Sequence, residues 1–69
     1  MIGDNIKFYR KKNQLTQDDI AEACNVTRQA VSKWENGTGT PDIANLMAIA
    51  AFFQISVDEL LSNEKSEKK

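Results

Sequence analysis

Residues 25–37 read NVTRQAVSKWENG, and at helical spacing they divide into two unlike sides. Ala30, Val31 and Trp34 fall together, which leaves Arg28, Gln29, Ser32, Lys33 and Asn36 on the opposite face. An ordinary solvated face would be a mixture of Glu and Lys. This one is amide, hydroxyl and guanidinium with a single ammonium, a set that forms directed hydrogen bonds to the donors and acceptors of a partner. Bond-making chemistry is poorly supplied by comparison. The chain has no histidine and one cysteine, Cys24, so the usual zinc ligands and the usual bases of nucleophilic catalysis are missing. An enzyme is not expected, and neither a metal nor another cofactor is called for.

The rest of the composition narrows the class. Sixty-nine residues make one domain, near the lower limit for folding without staples, so most apolar residues must serve a single core. One cysteine excludes an internal disulfide. No stretch has the unbroken apolar length of a membrane span or the pattern of a secretory signal, so no membrane association is expected and a cytoplasmic location fits. The net charge of −1 weighs against a polyanionic partner, but its distribution is uneven. Residues 1–33 sum to +2, residues 34–61 to −4 and the end from Ser62 to +1. A weakly positive surface in the N-terminal half is compatible with phosphate.

Punctuation along the chain marks five helices and no strand, an all-α five-helix bundle. The first is expected from about Gly3 or Asp4 to Lys12, with Ile2, Ile6 and Tyr9 on its inner face and Asn13 near its end. Thr16 is placed to cap the second, Asp18 and Asp19 suit its positive end, and Leu15 can staple to Ile20. Asn25 ends it. Thr27 repeats the device for the third helix with Val26 and Val31, and Ser56 for the fifth with Glu59, Ile55 and Leu60. For the fourth, Thr40 is the expected cap and Pro41 the first helical residue, with Ile43, Leu46, Ile49, Ala50 and Phe53 as a core stripe.

Only Asn25 and Val26 separate the second and third helices, which forces a sharp angle and requires a small residue, Ala21, where they cross. The result is a helix-turn-helix. Its segment LTQDDIAEACNVTRQAVSKWENG, followed by PDIANLMAIAAFFQISVDELL, resembles the phage repressor and Cro type of helix-turn-helix domain over about residues 2–61. The resemblance implies a lambda-repressor-like fold and a sequence-specific transcriptional regulator, chiefly a repressor, that inserts its third helix into the major groove of double-stranded DNA. It assigns Arg28, Gln29, Ser32 and Lys33 to base reading, with guanine and adenine the natural partners of Arg28 and Gln29, while Ser32 and Lys33, one turn further along, can reach either a base edge or the sugar-phosphate chain. Gln17, Thr27 and Asn36 are assigned to phosphates. Lys7, Lys11 and Lys12 are weaker candidates that serve equally well as solubilising charge. Arg10 and Glu35 look like the family's partly buried ion pair.

Three departures from the family pattern stand out: Asn25 in place of the turn glycine, Gln54 where a glycine often ends the fourth helix, and a loop at Thr38–Thr40 without a basic residue. The last removes a common phosphate contact and implies modest, salt-sensitive affinity. A domain this small reads few base pairs, so a homodimer on a pseudo-palindromic operator is expected, with Phe52, Val57 and Leu61 as candidates for its apolar contact. Phe8 has no evident role, and Cys24 is read as a small core residue. Residues 1–61 form the expected domain, and 62–69 a charged tail expected to be mobile. The alternative is an antitoxin-like or other protein-interaction module, with a protein partner of unknown identity.

Overall fold

The chain turns between helices by one three-residue device used three times: a residue in the left-handed region, an apolar residue, then a hydroxyl cap. The computed structural model describes residues 2–62, and within them lie α1 (Ile2–Lys12), α2 (Gln17–Cys24), α3 (Arg28–Asn36), α4 (Ile43–Phe53) and α5 (Val57–Leu61), without a strand. Gln14-Leu15-Thr16, after Asn13, joins α1 to α2, Asn25-Val26-Thr27 joins α2 to α3, and Gln54-Ile55-Ser56 joins α4 to α5. The first member of each has a positive φ: 60° at Gln14, 58° at Asn25 and 63° at Gln54. That conformation lets the next amide reach back five residues and close the spent helix, as Val26 N–H does to the Ala21 carbonyl at 2.9 Å and Ile55 N–H to that of Ala50 at 2.9 Å.

The apolar member faces inward. Leu15, Val26 and Ile55 pack against the core that contains Ile20, Val31 and Leu60, their expected staple partners. The hydroxyl member opens the new helix. Thr16 Oγ1 accepts from Asp19 N–H at 3.1 Å while Asp19 Oδ2 accepts from Thr16 N–H at 2.9 Å, a capping box. Thr27 Oγ1 accepts from Ala30 N–H at 3.2 Å, and Ser56 and Glu59 form a second box.

The start of α4 corrects the sequence-based expectation. Neither Thr40 nor Pro41 has the expected place: Asp42 is the cap, its Oδ1 accepting from Asn45 N–H at 2.9 Å, and the helix begins at Ile43. A carboxylate gains both the hydrogen bond and the attraction of the helix's positive end, which a threonine two residues earlier does not match. Pro41 is buried ahead of the helix. Ile43 is corrected too, being 64% exposed rather than part of the core stripe, which Leu46, Ile49, Ala50 and Phe53 form without it.

The core joins all five helices through Ile6, Ile20, Ala21, Val31, Trp34, Ile49, Ala50, Phe53 and Leu60. Ala21 is buried, and α2 packs against both α3 and α4. Two further contacts have no local signature. A Cβ on Gly3 would overlap the carbonyl oxygen of Trp34 and lie 3.1 Å from that of Glu35, so α1 rests directly on the last turn of α3. Asn5 is fully buried, and its Nδ2 donates to the carbonyls of Leu60 at 2.7 Å and Ser62 at 2.6 Å, tying α1 to the end of α5. Apart from Ser62, the expected tail lies outside the described residues.

Candidate nucleic-acid interface

The outward side of α3 is set by what its inner side must bury. With Val31 and Trp34 in the core, Arg28, Gln29, Lys33 and Asn36 are left exposed and Ser32 half-buried. Asn36 Nδ2 lies 3.5 Å from Ser32 Oγ, one turn away on the same face. Five of the seven expected contact residues therefore share one helix face. Thr27 stands at its start, exposed, with Oγ1 engaged in capping.

Gln17 opens α2, where the first-turn amides have no acceptor within the helix. Its side chain is not free in solvent: Nε2 donates to Glu35 Oε1 at 3.1 Å, reaching from α2 to α3. Glu35 in turn accepts from Arg10 through both oxygens, Nε to Oε2 at 2.7 Å and Nη2 to Oε1 at 3.0 Å. The Arg10 and Glu35 side chains are 14% and 3% exposed, so the pair is the shielded link between α1 and α3 that the family resemblance implies. Arg10 Nη1 also donates to the Leu15 carbonyl at 3.0 Å. The hydrogen bond to Glu35 raises the Arg10 pKa above its ordinary value, against the opposing effect of burial and with the charge of Glu35 adding to the rise.

A residue that sequence reasoning treats only as a favourable helix-end charge turns out to face the site. Asp18 Oδ1 lies 3.6 Å from Arg28 Nε, with both side chains well exposed, so this pair contributes little to stability. It is a contact across the turn, and one that a polyanion would compete for. Neither it nor the Gln17–Glu35 bond has a signal in sequence spacing.

The remaining candidates are placed less favourably. Lys7, Lys11 and Lys12 are exposed on α1, and Lys12 Nζ sits 6.0 Å from the centre of the Phe8 ring. Phe8 also meets Tyr9 edge-on at 5.2 Å, which gives this aromatic a packing role. Of the expected dimer residues Phe52 and Leu61 are exposed, but Val57 is half-buried against the core and is corrected on that ground. Ile43 and Met47, one turn apart on α4, are more exposed than either. Cys24 is half-buried against the core, with Sγ 4.0 Å from the Asn45 carbonyl, and burial raises its thiol pKa with a smaller push from Asp42. Among the described residues no acidic, cysteine or histidine cluster could hold a metal, and no helix is long and apolar enough to cross a membrane.

A family model described as helix-turn-helix matches residues 6–60. The chain belongs to that family. Within it, this helix-turn-helix chain is 42% identical over 64 residues to the HTH-type transcriptional activator BcrR of Enterococcus faecalis, covering 93% of the chain and 31% of BcrR. It spans roughly a third to three fifths of the length of the first curated relatives it matches. Its fold is that of the c2 repressor of Salmonella phage P22 in complex with a synthetic operator, with a TM-score of 0.84, 31% identity and coverage of 93% of this chain and 97% of that one. The SinR regulator of Bacillus subtilis in complex with DNA superposes with a TM-score of 0.81 at 35% identity, covering 90% of this chain and all of the other.

Proposed function

We propose that this chain is a sequence-specific DNA-binding transcriptional regulator, acting as a repressor, with α3 lying in the major groove. The observation that carries the proposal is the likeness, over more than nine tenths of the chain, to the P22 c2 repressor in complex with its synthetic operator, combined with the uninterrupted hydrogen-bonding face of α3. Arg28 and Gln29 read base edges, since guanidinium and amide groups pair bidentately with guanine and adenine there, and Ser32 and Lys33, one turn further along, reach a base edge or the sugar-phosphate chain. Gln17, Thr27 and Asn36 hold phosphates beside them. Lys7, Lys11 and Lys12 act as surface charge.

One such domain covers too few base pairs for selectivity, so two copies bind a pseudo-palindrome. The activity is binding rather than catalysis, in the cytoplasm, and needs no cofactor. Selection of bound sequences from a random duplex pool tests the reading. Enrichment of a two-fold symmetric site supports it; a chain that shifts no duplex DNA at low salt would act through a protein partner instead.

A further inference from the structure

The Arg10–Glu35 pair has a neighbour that a purely structural ion pair would not need. Glu35 Oε1 accepts a second hydrogen bond, from Gln17 Nε2 at 3.1 Å, alongside the one from Arg10 Nη2 at 3.0 Å. A primary amide carries two N–H donors on nitrogen and only acceptors on oxygen, whereas a carboxylate only accepts. The Gln17 amide therefore cannot turn its oxygen toward Glu35 without setting oxygen against oxygen. With nitrogen held inward, one N–H serves Glu35 and the second is left for another acceptor.

We infer that Glu35 positions Gln17 for DNA, fixing which way its amide faces so that the remaining N–H is held ready for a backbone phosphate oxygen at the start of α2. The inference rests on the DNA-binding reading and adds to it a residue that touches no DNA. Arg10 completes the device. Its bidentate hold on Glu35 fixes the carboxylate, and its Nη1 bond to the Leu15 carbonyl at 3.0 Å anchors the guanidinium to the turn that precedes α2. The same guanidinium balances the charge of Glu35, so a phosphate approaching Gln17 does not meet an uncompensated carboxylate. At 3% exposure Glu35 has little water competing for its oxygens. An unanchored glutamine would sample both amide orientations and many rotamers, and only some would present a donor.

The test separates positioning from folding. Replacing the pair as a unit, Arg10→Met with Glu35→Met, removes the anchor without stranding a charge, an exchange that often leaves stability intact. Affinity for a random-sequence duplex is measured for the unmodified protein, Gln17→Ala, the Arg10→Met/Glu35→Met protein and the triple variant, each below its melting transition. Gln17→Ala is expected to weaken binding about tenfold, the value of one hydrogen bond to a charged acceptor. Removing the pair should weaken it several-fold when Gln17 is present and less than about twofold once Gln17 is alanine, because interacting positions fail to add.

Equal factors in both backgrounds would overturn the positioning role. Unchanged affinity in Gln17→Ala would overturn the phosphate contact, while an unmodified protein that binds no duplex would remove the DNA-binding reading itself. A second measurement needs no variant: in the free protein the Gln17 side-chain amide should be nearly as ordered as rigid backbone, with S² of about 0.85, while the exposed Gln29 amide falls below ~0.6. A Gln17 amide as mobile as that of Gln29 would also overturn it.

Discussion

Gln29 and Lys33 are exposed one turn apart on α3, and their chemistry separates what each contributes. Gln29→Ala is expected to erase preference at one operator position, by about 1–3 kcal/mol for a bidentate contact, with the salt dependence unchanged because no charge is lost. Lys33→Ala should instead lower the salt slope by about one unit if its ammonium neutralises a phosphate. Affinities for the best operator and its single-base variants, taken at several salt concentrations, check both outcomes. Cys24 should show its raised pKa as sluggish chemistry. With less thiolate near neutral pH, the folded protein should be alkylated by iodoacetamide more slowly than the same protein in denaturant, and the rates should converge on unfolding. Because the folded thiol holds its proton more tightly, the associated stability is present below the ordinary thiol pKa and is lost as pH rises through the folded value. Arg28, Gln29, Lys33 and Asn36 are legible as an outward face because helical period alone separates them from Val31 and Trp34. Asp18 beside Arg28 and Glu35 beside Gln17 are not, since each pairing depends on how α2 crosses α3.

The left-handed connectors make a prediction of their own. Gln54 carries a Cβ at φ 63°, where an L-residue other than glycine is strained, so Gln54→Gly should raise stability by about 0.5–1 kcal/mol after the greater chain entropy of unfolded glycine is set against the relief. A thermal melt shifted downward would show that the glutamine side chain contributes more than the strain removes. Gly3→Ala should act in the opposite direction. Its new methyl meets backbone carbonyls of α3 that cannot rotate away, and overpacking of this kind costs about 1–3 kcal/mol, measurable by denaturant titration. Thr16, Thr27 and Ser56 are legible as caps because every partner lies within four residues, and Asn25 and Gln54 because the turn positions follow from those caps. Where two caps compete around Pro41, spacing alone favours Thr40 and the carboxylate of Asp42 prevails. Gly3 and Asn5 leave no local trace, since the groups they meet lie more than thirty or fifty residues along the chain.

For the molecule entire, charge and closure matter more than any one contact. The carrier of the α3 face has a net charge of −1, and that face supplies only Arg28 and Lys33 as cations. With Arg28 on a base edge, Lys33 is the cation of that face left to neutralise a phosphate, for a salt slope of about −0.9 per copy or about −1.8 for two copies on one site. A distinctly steeper slope in filter-binding or fluorescence titrations would bring Lys7, Lys11 or Lys12 into the interface. Closure is the other property. Asn5 joins the first helix to the carbonyls of Leu60 and Ser62, so the described chain begins and ends at the same place. Tension applied between those two ends would load this clasp before any other part of the molecule. Behind it α5 is only five residues long, held by the fully buried Leu60, the half-buried Val57 and its capping box. The fold would therefore peel open from α5, like a zipper drawn from its slider, and not shear as a block.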